Sequence, residues 1–72
     1  MTFAEHLLQL RLEKNLTQPE ISAAVGLSLR GYQNYERGLR EPKMTALIAL
    51  ADFYDISLDE LVGREWPKDP ET

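Results

Sequence analysis

Three times in this 72-residue chain a hydroxyl residue is followed, three positions on, by glutamate: Thr2-Phe3-Ala4-Glu5, Thr17-Gln18-Pro19-Glu20 and Ser57-Leu58-Asp59-Glu60. Each has the form of a capping box. The hydroxyl accepts from the glutamate's backbone amide, and the carboxylate reaches back to the amide of the capping residue. A chain that starts helices so often, and has no segment of strand period, is directed towards an all-α fold.

The rest of the punctuation fills in five helices. Phe3, Leu7 and Leu10 recur at helical spacing after the first box, which predicts a first helix over about residues 3–14. In the second, Leu16 is set to staple onto Ile21, and Pro19 sits in the first turn, where its missing amide costs little. That helix should end near Val25, with Gly26 free to turn left-handed. Ser28 can cap a third helix, with Leu27 stapling onto Tyr32 and Gly38 as terminator. Leu39 to Pro42 then form a connector. Met44, Leu47, Ala51 and Tyr54, widened by Ile48 and Leu50, mark the apolar face of a fourth helix. Lys43 stands where that helix would need a short polar cap. The third box opens a short fifth helix, with Ile56 stapling onto Leu61 and Gly63 ending it. The domain is therefore expected over residues 1–63, and residues 64–72 read as a short polar tail.

Such a chain makes one domain at most, and a small one of marginal stability. It has no cysteine, so neither a disulfide nor a thiolate metal site can brace it. Stability must come from helix packing, from caps or from a second subunit. Glu5, His6, Gln9 and Arg11 interrupt the first apolar stretch, unlike a signal peptide. No run approaches the roughly 18 apolar residues of a membrane span. The expectation is a cytoplasmic protein with no membrane contact.

The net charge of −4 argues at first against a nucleic-acid partner. Its distribution reverses that. Residues 1–43 carry six basic and five acidic side chains, and residues 44–72 carry two basic and seven acidic. Arg30, Arg37, Arg40 and Lys43 outnumber Glu36 and Glu41 within 28–43. One basic face suffices for nucleic acid whatever the total.

Residues 18–37 form a unit. Two short helices separated by three residues must cross steeply and closely. Ser22 supplies the small side chain that close approach needs, and Ile21, Val25, Leu27, Tyr32 and Tyr35 supply the apolar interior. At about 100° per residue, with Leu29 at zero, Gln33 falls near 40°, Arg37 near 80°, Arg30 near 100° and Asn34 near 140°. Tyr35 and Tyr32 fall near 240° and 300°, on the opposite side. The outer face thus carries side chains suited to base edges: arginine for guanine, asparagine or glutamine for adenine. Leu29 either meets a thymine methyl or is an exposed leucine without a role.

Taken together, Gln18-Pro19-Glu20-Ile21-Ser22, Gly26-Leu27-Ser28 and Tyr32-Gln33-Asn34-Tyr35-Glu36-Arg37-Gly38 resemble the phage repressor and Cro-type (XRE-like) helix-turn-helix family, over residues 3–63. The resemblance implies a compact five-helix repressor-like domain whose third helix enters the major groove. It further implies a homodimer on an inverted-repeat operator in double-stranded DNA, and a transcriptional regulator, as a repressor. Carried over by position, Leu29, Arg30, Gln33 and Asn34 would read bases. Gln18 would touch phosphate, helped by the free amides of its helix, and Ser28, Arg37, Arg40 and Lys43 would lie near the backbone. Arg11 would form an ion pair with Glu36. Gly31, inside the reading helix, departs from helix preference; it either permits close approach to DNA or is simply tolerated.

Other chemistries find little support. His6 is the only histidine and has no ligand-spaced companions, so no metal is expected. Asp59 and Glu60 suit the start of a helix better than acid–base work, and Asp52 and Asp55 read as a solvated face. No cofactor, small-molecule ligand or enzymatic activity is indicated. The alternative function is a protein-interaction module on the same fold, such as an antitoxin-like or adaptor partner. Phe53, Tyr54, Ile56, Leu58, Leu61, Val62 and Trp66 offer core packing or part of a dimer contact, and Trp66 has no assigned place.

Overall fold

The computed structural model describes residues 2–62, and within them every regular element is a helix. These are α1 (Phe3–Glu13), α2 (Gln18–Ala24), α3 (Leu29–Glu36), α4 (Met44–Tyr54) and α5 (Leu58–Val62). None is long and apolar enough to cross a membrane. Gly63, the tail and Trp66 lie outside the described residues.

The starts follow the capping chemistry. Thr2 and Thr17 form complete boxes with Glu5 and Glu20. Ser57 Oγ accepts from the Glu60 amide at 3.0 Å, while the return bond is long at 3.5 Å. Ser28 Oγ accepts from the Gly31 amide. Lys43 leaves α4 without a side-chain cap.

The four longer helices end by one device. Asn15, Gly26, Gly38 and Asp55 all take left-handed backbone, with φ from 57° to 75°. In each case the next amide reaches back across the last turn: Leu16 to Arg11 O, Leu27 to Ser22 O, Leu39 to Asn34 O and Ile56 to Ala51 O. These are Schellman closures, which satisfy carbonyls the helix end would otherwise leave open. Glycine adopts this conformation without penalty, and asparagine and aspartate tolerate it.

The core gathers Leu7, Ile21, Tyr32, Tyr35, Ala46, Leu50, Ala51, Tyr54 and Leu61. Leu16, Leu27 and Ile56, the expected staple residues, pack half-buried against it. α3 lies between α1 and α2, and α5 packs on α1 and α4. His6 Nδ1 is 2.9 Å from the Leu61 carbonyl oxygen, joining α1 to α5. On α4 the buried stripe is Ala46, Leu50 and Tyr54, with Ala51 beside it. Of the expected face, Leu50, Ala51 and Tyr54 turn in and Leu47 packs against the core, while Met44 is 61% exposed and Ile48 46% exposed and Ala46 is buried in addition. α4 is apolar nearly all round, and packing rather than sequence chooses which side turns in.

Candidate nucleic-acid interface

Buried tyrosines fix the rotation of α3. Tyr32 is fully buried and Tyr35 nearly so, which turns the opposite side outward. Leu29 and Arg30 are exposed there, and Gln33 and Asn34 are half-buried beside them. Ser28 is exposed at the start of the helix, its Oγ already serving as the cap. Arg37, Arg40 and Lys43 are exposed along the end of α3 and the connector. Arg37 and Arg40 border an open groove shared with Phe3 and Leu8 of α1. The outward residues therefore carry three arginines and a lysine, beside one exposed carboxylate, Glu41 of the connector.

α2 crosses beneath this face. Ser22 is buried, and its Oγ donates to Pro19 O at 3.0 Å. That bond satisfies a buried hydroxyl where α2 packs on α3. The start of α2 offers less to an anion than expected. Its box commits the amides of Thr17 and Glu20, and Pro19 has none.

Behind the reading face lies a polar network centred on Glu36. Arg11 Nε donates to Glu36 Oε2 at 2.7 Å and Arg11 Nη2 to Oε1 at 3.1 Å, a two-pronged pair. Arg11 Nη1 also donates to Leu16 O. The two side chains are only 13% and 6% exposed. Tyr32 Oη donates to the same carboxylate, as does Gln18 Nε2 at 2.8 Å. Gln33 Nε2 donates in turn to Gln18 Oε1 at 3.0 Å. The structure thus brings together Arg11, Gln18, Gln33 and Glu36 in one connected set, drawn from α1, α2 and α3.

Electrostatics follow from that geometry. Burial pushes the Glu36 carboxyl up, but donors from Arg11, Tyr32 and Gln18 outweigh it and hold its pKa below the ordinary value. The hydrogen bond to Glu36 raises Arg11 against its partial burial. Burial, reinforced by the bond to Glu36, pushes the Tyr32 phenol well up. Glu36 is therefore ionised and Tyr32 neutral near neutrality.

Sequence reasoning paired Arg11 with Glu36 but missed Tyr32 as a donor and the Gln18–Gln33 link. The first had a signal, since Tyr32 and Glu36 stand four apart on one helix. The second depends on how α2 crosses α3, which no local pattern encodes. Among the described residues no group of His and carboxylate side chains is arranged to hold a metal.

A tight helical pair that buries its aromatic side and presents the second helix polar side out defines a helix-turn-helix domain. The chain belongs to the helix-turn-helix family, in its phage repressor and Cro-type (XRE-like) branch, and the family model matches residues 7–61. It is 41% identical over 69 residues to the cryptic phage CTXphi transcriptional repressor RstR of Vibrio cholerae serotype O1, covering 96% of this chain and 61% of that protein. It is 39% identical over 64 residues to the transcriptional regulator AnsR of Bacillus subtilis, covering 89% of this chain and 55% of the relative. The chain thus spans little more than half of these curated relatives. Among solved structures, the restriction-modification controller protein C.AhdI from Aeromonas hydrophila superposes with a TM-score of 0.77 at 32% identity, over 82% of this chain and 89% of that one.

Proposed function

We propose that this chain binds double-stranded DNA by inserting α3 into the major groove, and that it regulates transcription, as a repressor. The observation that carries the proposal is the fixed rotation of α3. Tyr32 and Tyr35 anchor it from beneath, and Leu29, Arg30, Gln33 and Asn34 line its free side. These four would read base edges. Ser28, Arg37, Arg40 and Lys43 would contact phosphates, which sets register without reading sequence. Gln18 would add a contact at the rim, although its amide is already held by Glu36 and Gln33. The relatives named as repressor, regulator and controller support the same reading.

A homodimer on an inverted repeat completes the proposal, with half-sites about one helical turn (roughly 34 Å) apart. Occupying such a site blocks polymerase without any catalytic step. This reading implies a cytoplasmic protein that needs no cofactor.

Selection of bound duplexes from a random DNA pool tests the proposal and yields half-site spacing directly. Binding should weaken steeply with salt, by a slope of about −0.9 per phosphate neutralised. Arg30→Ala should lower specific affinity by about 1–3 kcal/mol and relax preference at one position. A pool that yields no enriched sequence, together with salt-independent binding, would sink the reading and favour a protein partner.

A further inference from the structure

We infer that Glu36, which faces no base itself, determines which base Gln33 accepts, by fixing two amides in series. The inference rests on the DNA-reading role proposed for α3.

An ionised carboxylate can only accept hydrogen bonds, at about four lone-pair positions. Glu36 uses them all. Oε1 receives Arg11 Nη2 and Gln18 Nε2, and Oε2 receives Arg11 Nε and Tyr32 Oη. Gln18 must therefore turn its nitrogen towards Glu36, because its carbonyl would set acceptor against acceptor. Its Oε1 is then directed at Gln33, which must answer with Nε2, as it does at 3.0 Å. The polarity of the charged pair is passed outward through two neutral side chains.

A glutamine in water can present its amide either way round. Gln33 cannot. One hydrogen of its nitrogen is spent on Gln18, leaving one N–H and the carbonyl oxygen for the groove. An adjacent donor and acceptor complement adenine, which offers N7 as acceptor and N6 as donor. Guanine offers two acceptors, N7 and O6, so one of them would face the Gln33 carbonyl. Glu36 and Gln18 are thus positioning residues for specificity, distinct from groups that touch DNA bases.

The test is base preference at the position where Gln33→Ala changes the selected sequence, measured as the ratio of affinities for adenine and guanine duplexes. The wild-type ratio should be about tenfold or more. In Glu36→Gln the central amide can donate or accept, so the ratio should fall to within about threefold. If that variant does not fold by circular dichroism, Gln18→Met carries the test. It leaves the Arg11–Glu36 pair intact and frees Gln33 to flip, with the same expected fall. A lower affinity shared equally by both duplexes would not change the ratio, so a mere loss of contact or stability does not imitate the effect. A full adenine preference in folded Gln18→Met, or a guanine preference in the wild type, overturns the inference. So does a selected sequence that Gln33→Ala leaves unchanged, although DNA binding would then stand. If the wild type selects no sequence at all, it is the DNA reading itself that fails.

Discussion

The first three helices and the last two are held together by different means. α1, α2 and α3 each start on a side-chain cap, and they converge on one saturated carboxylate, Glu36. α5 also keeps a side-chain cap, on Ser57, but α4, the longer helix of the second half, starts on Lys43 without one and leaves Met44 and Ile48 exposed. It holds its place through Ala46, Leu50, Ala51 and Tyr54. Hydrogen-bond geometry is directional and apolar burial is not. The half that is proposed to meet DNA is therefore the half whose side-chain positions are specified bond by bond. The other half supplies bulk burial and has room for improvement.

The sharpest way to break this contrast is to remove Arg11. Arg11→Met should destabilise the domain by about 3 kcal/mol, since the variant strands a buried carboxylate. That is the lower end for such a loss, because Tyr32 and Gln18 still donate to Glu36. Urea denaturation at neutral pH measures it; an unchanged midpoint would mean the network only decorates the interface. Acid sharpens the same point. Glu36 has a folded pKa below its ordinary value of 4.5. Its contribution is complete above that ordinary range. It is lost as pH falls through the range and on through the lowered folded pKa. Wild-type stability should thus decline on acidification, with a visibly shallower decline in Arg11→Met.

The converse is expected in the second half, where substitutions should help. Tyr54 Oη is buried without a hydrogen-bond partner among the described residues, and burial pushes its pKa up to about 12. Tyr54→Phe should stabilise by about 1 kcal/mol, because the ring stays and the unpaired hydroxyl goes. A loss of stability on thermal melting would show that the hydroxyl is satisfied after all. Lys43→Ser supplies the missing cap of α4 and should add about 0.5–1 kcal/mol. It also removes a proposed phosphate contact, so stability should rise while DNA affinity falls. If both variants are neutral, the two halves are equally optimised and the contrast fails.

What could be seen in the sequence follows the same division. Helix starts were legible because a cap joins residues only three apart. The ends at Gly26 and Gly38 were legible because glycine has few other reasons to sit there. Asn15 and Asp55 end helices in the same left-handed way, but Asx residues also serve as caps and turns, so their type alone does not mark a helix end. The outer face of α3 could be computed from its two tyrosines. The buried face of α4 could be read only in part: Leu47, Leu50, Ala51 and Tyr54 turn in as expected, but Met44 and Ile48 do not and Ala46 does, since the run from Met44 to Leu50 gives no clear phase. Within the site, Arg11 and Glu36 were paired through a family resemblance. The chain of amides from Glu36 to Gln33 exists only once α2 has crossed α3.

Gly31 tests the contrast at its finest grain, within α3 itself. A Cβ added there would meet Ser28 Oγ at 3.0 Å, the atom that caps the helix by accepting from the Gly31 amide. Alanine should gain roughly 0.5–1 kcal/mol in helix preference. The hydroxyl must retreat by a few tenths of an ångström, which weakens a cap of similar worth. Gly31→Ala should therefore leave stability within about 0.5 kcal/mol of the wild type. Adding Ser28→Ala separates the two effects: with the cap already gone, the same alanine should stabilise by its full helix preference. If instead the alanine gains that full amount with Ser28 in place, the cap has slack. Glycine at 31 would then answer to something outside the domain, with close approach to DNA the first candidate.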